Sequence, residues 1–321
     1  MATNSNDKPI RFIDLFCGIG GFHFAADQVF AQYGLTAECV FSSEIDPYAR
    51  ASYRANFGVE PAGDITQIDA ATIPDHDILF AGFPCQPFSI IGNGKGFDDA
   101  RGTLFFDIAR ILAAKRPDGF ILENVKQLIG HAQGKTLAQI LYILRQELGY
   151  TVYYKSLNAL DYGLPQKRER VILVGFAQPT AFQFPPKQKT YAALSEILET
   201  DVDRKYLAST RIRQKRWAQH TPTTHPSIWH ENKAGHISSY PFSCALRAGA
   251  SYNYLLVNGE RRLTPRELLR LQGFPDTFKI VVSETQIRKQ TGNAAPVHLI
   301  KAVLESFLPA WRPETVHRQD G

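Results

Sequence analysis

No stretch of this chain approaches the ~20 consecutive apolar residues that a membrane-spanning helix needs. Its first eight residues, Met1 to Lys8, lack an apolar signal region, so it reads as a protein that stays in the cytoplasm with no membrane partner. Cysteine is scarce. Cys17, Cys39, Cys85 and Cys244 lie far apart, and no C-x-x-C pair occurs. That spacing argues against a disulfide framework and against a zinc ribbon. Four of the nine histidines, His220, His225, His230 and His236, crowd into one region. Their spacing is irregular and no cysteine pair accompanies them, so no metal is expected. Internal repeats and low-complexity tracts are missing as well. What remains is an ordinary globular composition, 44% hydrophobic and 21% charged over 321 residues, with length for about two domains.

The charge is modest but uneven. Much of the net +5 falls in residues 181–260, which hold ten Lys/Arg against six Asp/Glu. A basic segment suits a polyanion partner, although a solvated charged face has the same composition.

The most informative run is Ala81-Gly82-Phe83-Pro84-Cys85-Gln86-Pro87-Phe88-Ser89. A cysteine between two prolines fits neither a helix interior nor a central strand, because proline removes a backbone donor and forces its predecessor out of the helical region. The preceding Asp77-Ile78-Leu79-Phe80 reads as a buried strand. Cys85 then hangs on a rigid loop past the strand's carboxyl end, where open α/β sheets do their chemistry. A buried structural cysteine is the competing reading. With no disulfide or zinc framework to serve, a lone cysteine on its own loop is a nucleophile candidate.

Residues 11–177 alternate two periods. Strands are predicted over 11–17, 38–43, 76–83, 119–125, 150–156 and 170–176, and helices over 22–30, 47–56, 104–114 and 137–148. This alternation predicts an α/β fold with a mostly parallel sheet covered on both faces. After Pro179 the texture changes: Pro185, Pro186, Pro222, Pro226 and Pro241 interrupt it, and short β-type runs replace long helices. A second, smaller, mostly β and irregular domain is expected over 186–285, followed by an amphipathic helix at 296–308 that packs back on the first.

Several motifs fall at predicted strand ends. In Asp14-Leu15-Phe16-Cys17-Gly18-Ile19-Gly20-Gly21-Phe22 a strand runs through glycines into a helix, which lets backbone approach a ligand. His23 stands where a dinucleotide fingerprint has its third glycine, so a cofactor without a pyrophosphate fits better. Glu44 ends the second strand and can accept both hydroxyls of a ribose, whereas Asp46 before Pro47 is a helix cap. Asp64 and Ile65, near the end of a third strand, are candidates to contact an adenine. Phe120-Ile121-Leu122-Glu123-Asn124-Val125 puts a carboxylate at another strand end, costly there unless paired or used. Arg168 and Arg170, at i and i+2 in extended chain, share a face; they could clamp a phosphate or base oxygen, or pair with Glu123 or Glu169. Arg211, Arg213, Lys215, Arg216 and Trp217 form a basic-aromatic cluster suited to phosphates or guanine edges, or to a solvated helix face.

Taken together, the glycine turn, the Cys85 loop, Arg101-Gly102-Thr103-Leu104-Phe105, Glu123-Asn124-Val125, Gln166 to Arg170, Gln272-Gly273-Phe274-Pro275 and Gly292-Asn293 resemble the DNA (cytosine-5)-methyltransferases of bacterial restriction-modification systems. The resemblance covers 11–177 and 261–308 with the motif order kept. One departure is Ala245-Leu246, where the family often has threonine-leucine. The tRNA-methylating branch shares the fold, but its cysteine-phenylalanine-threonine signature is absent, since Cys244 precedes Ala245. An inactive DNA-binding relative would have lost Cys85 or Glu123, and both are present.

The resemblance implies a Rossmann-like S-adenosylmethionine-dependent methyltransferase sheet. A catalytic domain would span 1–185 and 286–321, with a target recognition domain at 186–285. It implies methyl transfer to carbon 5 of a cytosine flipped out of duplex DNA. Cys85 would be the nucleophile, with Glu123 on ring nitrogen 3 and the amine, Arg170 on the ring oxygen, and Arg168 as a phosphate or structural partner. Phe16, Gly18, Gly20, Gly21, Glu44, Ile45, Asp64, Ile65, Pro84, Leu104 and Asn293 would bind the cofactor. Ser89, Arg101, Arg211, Arg213, Lys215, Arg216 and Arg247 would contact DNA, and the loop Gly92-Asn93-Gly94-Lys95-Gly96 could close over the base. The enzyme is expected to be a monomer, paired functionally but not necessarily physically with a cognate restriction endonuclease. The base that removes the carbon-5 proton and the recognition sequence are not legible.

Overall fold

Six apolar runs become the strands of one sheet. They are β1 (Ile10–Leu15), β2 (Ala37–Ser43), β3 (Ile78–Gly82), β4 (Gly119–Val125), β5 (Thr151–Asn158) and, after the two-residue β6 (Gln166–Lys167), β7 (Glu169–Phe176). Their spatial order is β2-β1-β3-β4-β7-β5. β1 pairs in parallel with β2 and β3, β3 pairs in parallel with β4, and β7 runs antiparallel to β4. The central strands are continuous apolar runs with almost no exposed residue, as expected where both faces are covered. The computed structural model describes residues 8–84 and 104–313. Cys85, Ser89, Arg101 and the glycine loop at 92–96 therefore lie outside the described residues.

The first of two compact units comprises Met1–Leu157, Arg170–Pro186 and Ile300–Gly321. Its helices α1 (Gly21–Gln32), α2 (Pro47–Phe57), α3 (Leu104–Lys115) and α4 (Lys135–Tyr142) follow strands or the turns after them. α1 begins where Gly20 adopts φ 86°. A Cβ at Gly20 would also lie 2.2 Å from Phe57 Cε2, so both backbone and packing demand glycine. α2 is capped by Asp46, whose carboxylate accepts the Tyr48 and Ala49 amides, with Pro47 at the first helical position. The continuous helix expected over 137–148 instead ends at Tyr142 and widens into a π-turn over Ile143–Glu147. Leu148 N reaches Ile143 O, five residues back. No third strand precedes Asp64 either: a single parallel bridge joins Ser43 to Ala62, and Asp64 caps the 3₁₀ turn Ile65–Gln67.

The second unit comprises Asn158–Glu169 and Lys187–Leu299. It holds a three-stranded sheet, β8 (Ile228–Glu231), β9 (Ile237–Tyr240) and β11 (Leu255–Val257), in the order β11-β8-β9. β10 (Ser243–Cys244) pairs in parallel with β6. Helices α5 (Leu194–Ile197), α6 (Thr210–Gln219), α7 (Pro265–Leu271) and α8 (Glu284–Asn293) complete it. Its apolar core includes Ile228, Leu246, Leu255, Leu263 and Leu268. The last helix, α9 (Val297–Trp311), belongs to the first unit from Ile300 onward. There Phe307 stacks on Phe176 at 4.9 Å and closes over Gly119, whose missing Cβ would lie 2.6 Å from Phe307 Cζ. Burying such a ring contributes about 1.5–3 kcal/mol. Among the described residues no helix is long and apolar enough to cross a membrane.

Candidate active site

Parallel strands deliver their carboxyl ends to one edge of a sheet, so the residues that follow β1, β2, β3 and β4 converge there. After β1 the chain turns sharply. Phe16 takes φ 54° and Gly18 φ 55°, and Cys17 N donates to Ser43 O at the end of β2. A side chain on Gly18 would meet no described residue within 4 Å.

Glu44 fastens the turn. Its Oε2 accepts the Gly18 amide at 3.0 Å and its Oε1 accepts the Asp46 amide at 2.8 Å. Burial pushes its carboxyl up, against the downward pull of those amides. Each oxygen retains a further lone pair. Ile45 beside it is 69% exposed. The result is a cradle with two carboxylate acceptors, a half-buried aromatic at Phe16 and an exposed apolar side chain at Ile45. That donor and acceptor set fits a nucleoside diol and its base. Gly21 opens α1 and is buried. Ile65 belongs to the hydrophobic core, 3% exposed, which places it among packing residues and not on an open surface. Pro84 is exposed at the last residue before the undescribed segment, and Leu104 is half-buried at the first residue after it.

Glu123 and Arg170 meet across the antiparallel pair β4–β7. Arg170 Nε lies 2.7 Å from Glu123 Oε1, and both side chains are largely buried. Glu123 is in register with Gly82 of β3, and a Cβ at Gly82 would lie 3.6 Å from Glu123 Oε2. The carboxylate therefore faces the β3 end from which the chain runs through Phe83 and Pro84 to Cys85. Asn124, given no role from the sequence, anchors that run: its Nδ2 donates to Phe83 O at 3.0 Å, buried, while its Oδ1 accepts the Val125 amide at 2.8 Å. Its position next to Glu123 was the available signal.

Asp14 also escaped sequence reading. It is fully buried at the end of β1, no described residue hydrogen-bonds to its carboxyl oxygens, and burial, then the Glu44 charge, raises it well above the usual carboxylate range. The same burial pushes the neighbouring thiols up, Cys17 well above its ordinary value and Cys39 to about 12.

Arg168 and Arg170 do not share a face. Arg168 occupies the break between β6 and β7. The residue is 1% exposed and, within the second unit, its guanidinium donates to three backbone carbonyls: Leu246 O at 2.9 Å, Gly292 O at 3.0 Å and Ala294 O at 2.8 Å. It is the structural partner of the two alternatives, not a phosphate contact.

The α6 cluster needs a similar correction. Arg216 is fully buried, bonding to Glu231 at 3.1 Å and to the Asn253 carbonyl. Arg213 pairs with Glu260 and Lys215 with Glu231, each at 2.9 Å, and Trp217 Nε1 donates to Glu260. These acids neutralise much of the face expected to meet DNA. Arg211 and Arg247 are exposed. Asn293 ends α8 and is exposed.

An open α/β sheet whose strand ends carry a glycine turn, a carboxylate bound to that turn and a second carboxylate paired with arginine fits the fold of a Rossmann-like methyltransferase. The fold is similar to that of the Entamoeba histolytica methyltransferase EhMeth, with TM-score 0.73, 16% identity and coverage of 94% of this chain and 98% of that one. Residues 10–308 match the model of the C-5 cytosine-specific DNA methylases. The type II methyltransferase M.NgoBI of Neisseria gonorrhoeae is 57% identical over 296 residues, 91% of each protein. M.HaeII of Haemophilus aegyptius is 52% identical over 304 residues, 94% of this chain and 93% of that protein. The chain thus belongs to the C-5 cytosine-specific DNA methylase family and is a DNA (cytosine-5)-methyltransferase of the type II kind.

Proposed function

We propose that the protein methylates carbon 5 of one cytosine within a specific double-stranded DNA sequence, through a covalent adduct on Cys85, and so protects host DNA from a cognate restriction endonuclease. The observation that carries this reading is the Glu123–Arg170 pair at the end of β4, turned toward the root of the Cys85 loop. Carbon 5 of cytosine is a poor nucleophile in an aromatic ring. Attack of the Cys85 thiolate on carbon 6 forms a C–S bond and moves the displaced electron pair toward carbon 5. Glu123 on ring nitrogen 3 and the amine, and Arg170 on the ring oxygen, draw density from carbon 6 and favour that attack. Carbon 5 takes the methyl group as its bond to the donor sulfur breaks, and removal of the carbon-5 hydrogen then restores the double bond and expels the thiolate. Cys17, Cys39 and Cys244 are unsuited to the first step, because burial raises each thiol and the thiolate is the nucleophile.

S-adenosylmethionine supplies the methyl group as an electrophilic sulfonium substituent. Glu44 is assigned to the ribose hydroxyls, Phe16 and Ile45 to the flanks of adenine, and Gly18 and Gly20 to the turn. Asp64, Pro84, Leu104 and Asn293 are assigned to the same cofactor. The base must leave the helix to reach Cys85. The second unit, which holds all of the segment 186–285 except Pro186, is assigned to target reading, and Arg211 and Arg247, both exposed, are assigned to DNA contact. Bisulfite sequencing of plasmid DNA from cells expressing the wild-type protein should show one protected cytosine in one sequence context, and Cys85→Ser should show none. Equal protection by both proteins refutes the mechanism.

A further inference from the structure

The second unit contains a cavity of about 90 Å³ on whose wall three arginines, Arg247, Arg262 and Arg288, converge. Among the described residues the only carboxylate lining it is Glu284, and that group is already engaged: Tyr206 Oη donates to it at 2.7 Å and Lys205 Nζ lies 2.8 Å away. The arginines are held by other means. Arg288 lies 3.7 Å over the Tyr252 ring and donates to the carbonyls of Ala250 and Ser251. Arg262 donates to the Lys205 carbonyl. Arg247 lies 4.8 Å over the Tyr254 ring, and its guanidinium makes no hydrogen bond or ion pair with any described residue. A guanidinium stacked on a ring keeps its N–H edge free for a ligand. Burial, with Arg262 as a further cause, depresses Arg288; among the described lining residues three guanidinium groups stand against the one Glu284 carboxylate, which acts on Lys205 as well as on Arg262.

The loop carrying Arg247 is also held in place. The Arg247 amide donates to Tyr254 Oη at 3.0 Å, Tyr252 Oη bonds Thr285 at 2.7 Å, and Gly292 abuts the loop so closely that a Cβ there would lie 2.3 Å from Ala248 N. Three fixed cations around one small cavity suit a compact anion. A base edge is read by a single arginine and would leave the other charges unneutralised.

We infer that this cavity is an oxyanion site and that it takes one phosphodiester group of the DNA backbone, held by Arg247 and Arg288 with Arg262 behind them. The inference rests on the proposed function, since it presumes that DNA is the substrate. It adds a contact that anchors the recognition unit without reading sequence.

The test uses the full chain and a fluorescein-labelled duplex carrying the mapped target, alongside a scrambled duplex, with anisotropy read from 50 to 200 mM KCl. The Arg247→Gln/Arg288→Gln double variant should bind both duplexes roughly tenfold more weakly at low salt. Its slope of log affinity against log salt should shrink by about 0.9, the value of one phosphate contact. Arg288→Lys should retain the wild-type slope, because it keeps the charge. Arg247→Gln alone removes no hydrogen bond, so it keeps the test open if the double variant fails to fold; it should weaken both duplexes in the same proportion. An unchanged slope overturns the inference, as does a loss confined to the target duplex, which would make these arginines base readers. Inorganic phosphate that raises the wild-type Tm but not that of the double variant, with DNA slopes identical, would assign the cavity to a free phosphate and overturn the DNA assignment. Wild-type protein from the same preparation must methylate the target. If it does while the slope is unmoved, the cavity inference alone fails; if it does not, the parent reading fails.

Discussion

Removing the Arg168 guanidinium should destabilise the second unit from within before it touches chemistry. Its three hydrogen bonds tie the Leu246 carbonyl to the Gly292 and Ala294 carbonyls at the end of α8, at 2.8–3.0 Å and 1% exposure. Hydrogen bonds to a charged group contribute about 1.5–3 kcal/mol each but do not simply add. Arg168→Ala leaves three carbonyls short of a donor and a void the size of the side chain, for which about 3–5 kcal/mol is the expected range. At about 2–4 °C per kcal/mol for a chain of this size, Tm should fall by roughly 10 °C. Arg168→Lys should recover little, because one ammonium cannot span carbonyls on two segments in the way a planar fork does. Calorimetry provides the Tm, and single-turnover methylation measured well below it provides the rate. A variant with Tm within about 1–2 °C of wild type that nonetheless loses turnover would mean Arg168 acts on substrate, and the structural assignment would be wrong.

Glu123→Gln keeps the shape of the site but removes the negative charge 2.7 Å from Arg170 Nε, so turnover should fall by at least about 100-fold, while Arg170→Lys, keeping a cation, should retain more activity than Arg170→Ala; single-turnover rates decide, and undiminished turnover in Glu123→Gln would remove it from the mechanism. Burial holds the His23 imidazole down at about 4. Between about pH 6.5 and that value the unfolded chain binds a proton the folded chain refuses, and stability falls as pH falls. Asp27, 3.5 Å from His23, is pushed up to about 6 by burial and works in the opposite direction. Asp27→Asn should therefore steepen the loss of Tm between pH 6 and pH 4, and parallel Tm profiles for variant and wild type would contradict this.

The order of strands and glycine turns was readable because each depends on residues close in sequence. The apolar run of β4 and its terminal Glu123 were found to the residue, and Asp46 was identified as a cap from its neighbour Pro47. What escaped depends on partners far along the chain. Arg213 and Arg216 looked free for DNA because Glu260 and Glu231 stand 47 and 15 residues away. Arg168 and Arg170 looked like a clamp because extended chain was assumed through both, whereas Arg168 falls in a break between strands. Ile65 stands beside Asp64 in the sequence, but its burial in the core follows from packing that local sequence does not encode. The three arginines around the cavity come from two loops and a helix, with no spacing to announce them.

The central claim is that Cys85 forms the covalent bond to the target base. A duplex carrying 5-fluorocytosine at the methylated position tests it most directly, because fluorine cannot leave as the proton does and elimination stops after methyl transfer. With S-adenosylmethionine present, the wild-type protein should give a denaturation-resistant protein–DNA species whose cross-linked peptide contains Cys85, and Cys85→Ser should give none. A cross-link mapped to Cys17, Cys39 or Cys244, or one that persists in Cys85→Ser, would contradict the account.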